Sequence, residues 1–583
     1  MFGNWIFVAK REKSSLSINK LNIRFDAVAA ALIGCLYKKR KTELIGDLRE
    51  GFVVVPKKRD WETWTVSERL QKAISYTIEA GYQLDSEAFA LLETMSKTED
   101  PVSLMEKIIG RMDELGQKPL FISRHSLEES MSPISKNQKE VTATPSPVTE
   151  PFLESKRESF KPHAQEIESD IKVLDDPTST LSTTGSVEEY QEYFLDRFRR
   201  LQKFLRQRMD AKDATSISEA LRAPANAKVK VIGMLTEKRE SKQRTFLRLE
   251  DEEATVTVLV YADLDSSVRE RTQALLLDQV VCISATKTRN DLLILEDIFF
   301  PDIPQKTPRK ASEPVYAALI SDLHVGSRQF MREGFNRFLL WLNGKLGDTR
   351  WREIASYVKY VVIAGDLVDG VGIYPNQTKE LLIHDIHRQY RAVSKYLEQI
   401  PDYIELIVTP GNHDASRKAL PQPALPKDYA EPIYEARKVH SLGNPCSISL
   451  HGVELLVYHG RSLDDVIANS PNASFTTPEK AMKILLQSRH LAPIYGQRTP
   501  IAPGKRDHLV IERVPDIFHA GHVHVQAHDR YRGVLVVNSG AWQGKTEYQS
   551  KMGLEPTPGI VPIVDLQTLQ VTTLSFMAES AQT

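Results

Sequence analysis

Five times between residues 315 and 524, an apolar, β-branched run stops at an acid, an amide or a histidine. Residues 315–320 lead into Ser321-Asp322-Leu323-His324, residues 361–364 into Gly365-Asp366, and residues 404–408 toward Gly411-Asn412-His413-Asp414. Residues 455–458 lead into His459-Gly460, and residues 517–520 into Gly521-His522-Val523-His524. Short apolar runs closed by turn residues read as buried strands. Open α/β sheets bind ligands at the carboxyl ends of their strands. Asp322, His324, Asp366, Asn412 and His413 are therefore expected at one edge of one sheet, with His459, His522 and His524 added from downstream. Helices are expected at residues 335–346, 378–399, 429–438 and 478–490, the second ending before Pro401. Alternation of strands and helices predicts an α/β layered domain over residues 312–578.

The rest of the chain is read around that domain. Residues 1–124 are expected to form a helical N-terminal module, because apolar positions recur at helical spacing over 28–36, 67–78, 86–95 and 102–115. The basic cluster Lys38-Lys39-Arg40-Lys41 reads as a solvated face or as a contact to nucleic acid or a partner. Residues 125–185 are rich in Ser, Thr, Pro, Glu and Lys and nearly free of aromatics. Such a segment buries too little apolar area to offset its ordering entropy, so a disordered linker is expected. Residues 186–225 are expected as a helical segment. Tyr190, Phe194, Phe198, Leu201 and Leu205 recur every three or four residues, and Arg197, Arg199, Arg200, Lys203, Arg206 and Arg208 fill the other faces. Such a helix either packs on a neighbour or turns a basic face to DNA.

Over residues 226–304 the period changes to two. A strand starting at Val229 and others at 244–249, 255–261, 279–285 and 292–299, with a helix at 266–277 between the third and fourth, fit an OB-fold β-barrel. Phe246, Tyr261, Arg244 and Arg248 are its candidates for touching a single strand, a structural or subunit-docking role being the alternative. A Pro- and Lys-rich connector at 302–314 follows.

Composition narrows the setting. The formal net charge of the 583 residues is −1, so any basic surface must be local. The three cysteines, Cys35, Cys282 and Cys446, form no CxxC pair, which argues against a disulfide scaffold and a cysteine zinc site. No run of about 18 apolar residues suggests a membrane span, and the first thirteen residues lack the apolar core of a signal peptide. A cytoplasmic protein is expected.

The residue types at the strand ends suit two adjacent divalent metal ions. Carboxylate, imidazole and amide oxygen accept manganese, with magnesium, iron or zinc as alternatives, and the lack of thiolates argues against a structural zinc. One carboxylate can hold two cations, which makes Asp366 the natural bridge. Two such ions can clamp a phosphodiester and generate hydroxide from water. His413 adjoins Asn412 and is placed to protonate a leaving oxygen.

The series Asp322-x-His324, Gly365-Asp366, Gly411-Asn412-His413-Asp414, His459-Gly460 and Gly521-His522-x-His524 resembles the calcineurin-like metallophosphoesterase superfamily. That resemblance implies an α/β/β/α layered fold. It implies that Asp322, His324, Asp366 and His524 hold one metal and that Asp366, Asn412, His459 and His522 hold the other. His413 then resembles the catalytic histidine and Asp414 its supporting carboxylate. An OB-like segment directly before such a domain is similar to the small subunits of replicative DNA polymerases. So are Tyr458-His459-Gly460-Arg461-Ser462, Val514-Pro515-Asp516-Ile517 and Asn538-Ser539-Gly540-Ala541-Trp542-Gln543. The eukaryotic members lack the metal ligands, whereas every ligand position is filled here, as in the small subunit of the archaeal family D polymerase. The resemblance implies a 3′–5′ exonuclease acting on single-stranded or mismatched DNA ends, partnered by a large subunit that carries polymerisation. A non-catalytic scaffold is the alternative.

Overall fold

A computed structural model describes residues 160–577 except 242–243, and, nearer the N-terminus, residues 70, 72–74, 76–77, 83–84, 86–96, 100–114 and 121–122. The described residues divide into two compact units, one within 14–155 and one within 156–583. The expected helix at 28–36, the basic cluster at 38–41 and the linker residues 125–159 lie outside the described residues.

In the N-terminal unit, strands β1 (Gln83–Leu84) and β2 (Phe121–Ile122) pair in parallel. Helices at Ser86–Met95 and Pro101–Glu114 stand where the apolar spacing puts them. Leu70, Ala73, Ala88, Leu92, Leu104, Met105, Ile108, Ile109 and Ile122 form their shared core. Asp100 opens the second helix by accepting from the Ser103 backbone N–H at 3.1 Å.

In the larger unit, the end of the expected linker is ordered, which corrects that reading. Strand β3 (Ile171–Asp175) pairs antiparallel with β13 (Cys446–Leu450), and Asp176 caps a 3₁₀ turn at Pro177–Thr180 while accepting from the Gly443 N–H at 3.0 Å. Composition judged this segment alone. Three of its apolar side chains, Phe160, Ile167 and Ile171, pack on cores supplied by distant residues.

The helix at Val187–Arg206 follows, N-capped by Ser186. Its apolar face joins a large core, and four of the basic residues on it or just after it are engaged within the protein. Arg197 is fully buried against Asp507, Arg199 pairs with Glu252, Arg200 with Asp196 and Glu512, and Arg208 with Asp210. The packing alternative therefore holds over the DNA-facing one for these four.

Strands β4 (Lys228–Ser241), β5 (Arg244–Glu250), β6 (Thr255–Tyr261), β7 (Val280–Lys287) and β8 (Leu292–Phe299) close a barrel in the order β4-β5-β6-β8-β7. A helix at Ser266–Gln273 separates β6 from β7. Inward residues such as Val231, Leu247, Leu249, Val258, Val281, Ile283 and Leu295 fill its interior.

Two six-stranded sheets make up the rest. The first runs β12-β11-β10-β9-β18-β19, with β9 at Tyr316–Ile320, β10 at Val358–Ala364, β11 at Glu405–Thr409, β12 at His440–Ser441, β18 at Ile560–Asp565 and β19 at Val571–Ser575. The second runs β16-β17-β15-β14-β13-β3, with β14 at Val453–Val457, β15 at Ile517–Ala520, β16 at Gln526–Tyr531 and β17 at Val534–Ser539. Strand alternation explains the layering. On one side, Ala317, Leu319, Val362, Ile448, Leu455, Ile517 and Val537 from both sheets share one core. The opposite faces, Ala318 and Ile320 on β9 and Phe518 and Ala520 on β15, meet helices instead. The first sheet is covered by helices including Arg332–Leu342 and Ile386–Leu397, the second by Pro478–Ser488. The helix expected from residue 378 begins only after Asp385, whose carboxylate accepts from the Arg388 N–H at 2.8 Å; residues 377–379 form a separate 3₁₀ turn.

Candidate metal centre

The strand-end residues come from both sheets. Asp322 and His324 follow β9, Asp366 follows β10, and Asn412 and His413 follow β11 in the first sheet. His459 follows β14, and His522 and His524 follow β15 in the second. The single sheet edge expected for the first five is thus completed by the neighbouring sheet. Two glycines allow the close approach: a Cβ on Gly411 would collide with the Asp366 carboxylate, and one on Gly521 with Ser321 and Asp322.

Asp322, His324 and His524 form one cluster, and Asp366, His459 and His522 a second. In the first, His324 Nε2 and His524 Nε2 are 3.1 Å apart, and Asp322 Oδ1 lies 3.3 Å from His524 Nε2. In the second, His459 Nε2 lies 3.0 Å from Asn412 Oδ1 and 3.3 Å from Asp366 Oδ2. Asp366 joins the two, because the same Oδ2 is 3.7 Å from His324 Nε2. Its Oδ1 accepts from the His413 backbone N–H at 2.7 Å.

Tautomers follow from the partners. His459 Nδ1 faces the Ala364 carbonyl at 2.9 Å, and a carbonyl can only accept, so Nδ1 carries the proton. His324 Nδ1 donates in the same way to Asp369 Oδ1 at 2.9 Å. Each ring therefore turns Nε2 toward carboxylate oxygens, with the Asn412 amide oxygen beside His459, and in its neutral form offers a lone pair there. Asp322 Oδ1 is buried without a hydrogen-bond partner. Buried carboxylates crowded by imidazoles call for positive charge among them, whether protons on Nε2 or cations. Ionisation says the same. Burial opposes charge on His324 and His459, yet the carboxylates around them, Asp322, Asp369 and Asp366 for the first and Asp366 above all for the second, push the imidazoles up to about 10 and about 9. Burial also opposes charge on Asp322 and Asp366, but the imidazoles hold both carboxyls well below the usual range. This donor set fits two divalent cations.

His413 stands at the rim. Its ring lies edge-on to His324 with centroids 4.5 Å apart, and its Nδ1 donates to the Asp369 carbonyl at 2.7 Å. Burial pulls the imidazole down to about 4 against the pull of Asp366. Asp414 departs from expectation, since the structure does not bring it to the His413 ring. Its carboxylate accepts from the Gly411 N–H at 2.8 Å, the Leu367 N–H at 3.2 Å and the Tyr390 hydroxyl at 3.2 Å. It clamps the turns after β10 and β11. Burial and the neighbouring Asp366 push it up to about 6.

Sequence reasoning missed three groups. Asp369 is buried, orients His324, and also accepts from Gln543 Nε2 at 3.0 Å. Asp464 Oδ2 lies 3.3 Å from His522 Nε2. Gln549 Nε2 contacts His524 Nδ1 at 2.8 Å. Only Asp369 carried a signal, a second acid three residues after Asp366 in an apolar stretch.

Five of these residues hold left-handed backbone, with φ of 52° at Asp322, 51° at His324, 53° at Asp366, 69° at His522 and 64° at His524. Such conformations in non-glycine residues are uncommon and gather at functional sites.

The small subunit of DNA polymerase II from Archaeoglobus fulgidus is 37% identical over 483 residues, 83% of this chain and 93% of that protein. The corresponding subunit from Methanothermobacter thermautotrophicus is 36% identical over 486 residues, 83% of this chain and 96% of that protein. The chain belongs to the small subunits of archaeal DNA polymerase II, the family D polymerase. The profile of the B-subunit family of DNA polymerases alpha and epsilon matches residues 317–528 of this small subunit, a span that holds every candidate from Asp322 to His524. Among solved structures, an archaeal phosphodiesterase is similar at 15% identity and a TM-score of 0.22, covering 45% of this chain and 99% of that one, too slight a likeness to assign a fold. Among the described residues of the small subunit no helix is long and apolar enough to cross a membrane.

Proposed function

We propose that this small subunit is a metal-dependent 3′–5′ exonuclease that trims single-stranded or mismatched DNA ends beside a large subunit carrying polymerisation. In this reading the two-sheet domain is a calcineurin-like phosphoesterase and the barrel an OB-fold. The observation that carries it is the pair of clusters sharing Asp366, with Nε2 of His324 and of His459 turned onto carboxylate oxygens and Asn412 beside the second. Asp322, His324, Asp366 and His524 would hold one divalent ion, and Asp366, Asn412, His459 and His522 the other, manganese being the expected metal. Ions held there would supply charge neutralisation for a phosphodiester and a hydroxide near neutral pH.

The side chains do the rest. Asp369 fixes the His324 ring through its carboxylate and the His413 ring through its carbonyl. With Nδ1 committed to Asp369, His413 has Nε2 left to pass a proton to the leaving 3′-oxygen. An anionic phosphodiester beside it raises its affinity for that proton.

The test is hydrolysis, with manganese, of single strands labelled at the 3′ or the 5′ end, with and without the large subunit. Wild type should shorten strands from the 3′ end. D366A and H413A should abolish hydrolysis while still assembling with the large subunit. Either variant degrading DNA at the wild-type rate would refute the mechanism, and a wild type that binds no divalent ion would favour a scaffold.

A further inference from the structure

The loop after β10 carries an aromatic ring to the rim of the candidate centre, and the chemistry above gives that ring no task. Tyr374 lies edge-on to His413, with ring centroids 6.3 Å apart and an interplanar angle of 61°. It is half-buried, and neither it nor Val371 is part of the apolar core beneath the loop. Val371 is 43% exposed, and Leu382, where the loop rejoins the body, is 49% exposed. The ring beside His413 thus belongs to a loop that also exposes aliphatic surface. Phosphate has no use for such surface, but the π-face of a nucleobase does.

The loop is held to the same group that orients the catalytic side. Gln377 Nε2 donates to the Asp369 carbonyl at 2.8 Å and to its carboxylate at 3.2 Å. Gln377 Oε1 accepts from the Ile373 N–H at 2.9 Å, one residue before Tyr374. Gly370 N–H donates to Gln389 Oε1 at 2.9 Å. The Tyr374 hydroxyl is hydrogen-bonded to Glu380 on the far side of the loop. Asp369 therefore sets the His413 ring and the Tyr374 ring relative to each other.

We infer that Tyr374 is a stacking platform for the penultimate nucleobase of a single-stranded 3′ end, an inference that rests on the exonuclease reading above. The position follows from the reaction. Water adds to the phosphorus of the terminal nucleotide, the bond from that phosphorus to the preceding 3′-oxygen breaks, and the terminal residue leaves as a 5′-monophosphate. The oxygen that takes the proton from His413 belongs to the penultimate sugar. The aromatic ring next to His413 is accordingly beside the penultimate nucleotide, and the terminal base lies on the other side of the phosphate.

The experiment compares three single strands on the full-length chain with manganese: a natural strand, one abasic at the 3′-terminal position, and one abasic at the penultimate position. Wild type should show KM raised about tenfold by the penultimate abasic site and much less by the terminal one, with kcat changed little. Tyr374→Ala should raise KM on the natural strand by a similar factor and become indifferent to the penultimate base. Tyr374→Phe keeps the ring and should behave as wild type, which separates stacking from a loss of loop structure. The inference is overturned if Tyr374→Ala keeps the wild-type response to a penultimate abasic site, or if Phe behaves as Ala. A wild type that hydrolyses none of the strands would overturn the exonuclease reading itself, and this inference with it.

Discussion

Replacing Arg197 with methionine tests how the helix at Val187–Arg206 is fastened to the two-sheet domain. Arg197 Nε donates to Asp507 Oδ2 at 2.8 Å, and its other nitrogens donate to the Pro493 carbonyl at 3.0 Å and the Tyr193 hydroxyl at 3.1 Å. Both side chains of the ion pair have no exposed surface. Removing one partner of a buried pair costs about 3–5 kcal/mol, because the other charge stays buried. Here the stranded Asp507 has a second neighbour, His490, whose Nε2 is 2.8 Å from the same Oδ2. In the wild type, burial and the Arg197 charge hold the His490 imidazole down to about 4. An unfolded histidine titrates near 6.5, so between those values the unfolded chain binds the extra proton and acid weakens the fold. The loss is absent at pH 8 and reaches about 2 kcal/mol at pH 5. Without Arg197, protonated His490 can neutralise Asp507, its folded pKa rises, and that acid loss disappears. Arg197→Met should therefore cost about 3–5 kcal/mol at pH 8 and about 2 kcal/mol less at pH 5. Urea denaturation followed by fluorescence at the two pH values measures it. An equal cost at both would refute the coupling to His490, and a cost below about 1 kcal/mol at pH 8 would refute the role of the buried pair.

Two further tests address the candidate centre. Stripping divalent ions with a chelator should lower the melting temperature, and manganese at about a hundred times its dissociation constant should restore about 2.7 kcal/mol of stability; a thermal melt unchanged by chelator and metal would remove the ions from the account. Asp369→Ala takes the acceptor from His324 Nδ1 and should weaken binding of the ion held by His324 by roughly 10–100-fold in a calorimetric titration, whereas wild-type affinity would show that this contact does not orient the ring.

What could be read from the sequence was local. Each strand end is a short apolar run followed by a turn with an acid or histidine, and both features sit within about ten residues of each other. The parallel pairing of β14 with β15 in a second sheet involves no such local signature, and contacts such as His324 with His524 join residues 200 positions apart. Asp414 shows the opposite failure. Its place beside His413 in the chain suggested a place beside the His413 ring, but the turn after β11 sends its side chain inward to the Gly411 and Leu367 N–H groups. Residues 160–185 were misread because composition measures what a segment can bury by itself, and β3 is held by backbone pairing to the edge of a sheet built from distant residues. Arg197 was legible as part of a basic helix but not as the buried partner of Asp507, a residue 310 positions away.

The left-handed backbone at Asp322, His324, Asp366, His522 and His524 bears on whether the centre works or merely persists. A non-glycine residue in that region costs roughly 1–2 kcal/mol, so five of them amount to about 5–10 kcal/mol, comparable to the whole stability of a domain. Hydrogen bonds offset part of it: Asp322 Oδ2 accepts from the His522 N–H at 2.8 Å, and Asp366 Oδ1 from the His413 N–H at 2.7 Å. The same turns also draw buried imidazoles and carboxylates together, an arrangement that depends on positive charge, from protons or from cations, to hold it. A small subunit that served only as a scaffold could relieve both terms by placing glycine at the turns and apolar residues at the ligand positions. This chain keeps the strained turns, the acids and the histidines together, which supports a centre retained for its chemistry.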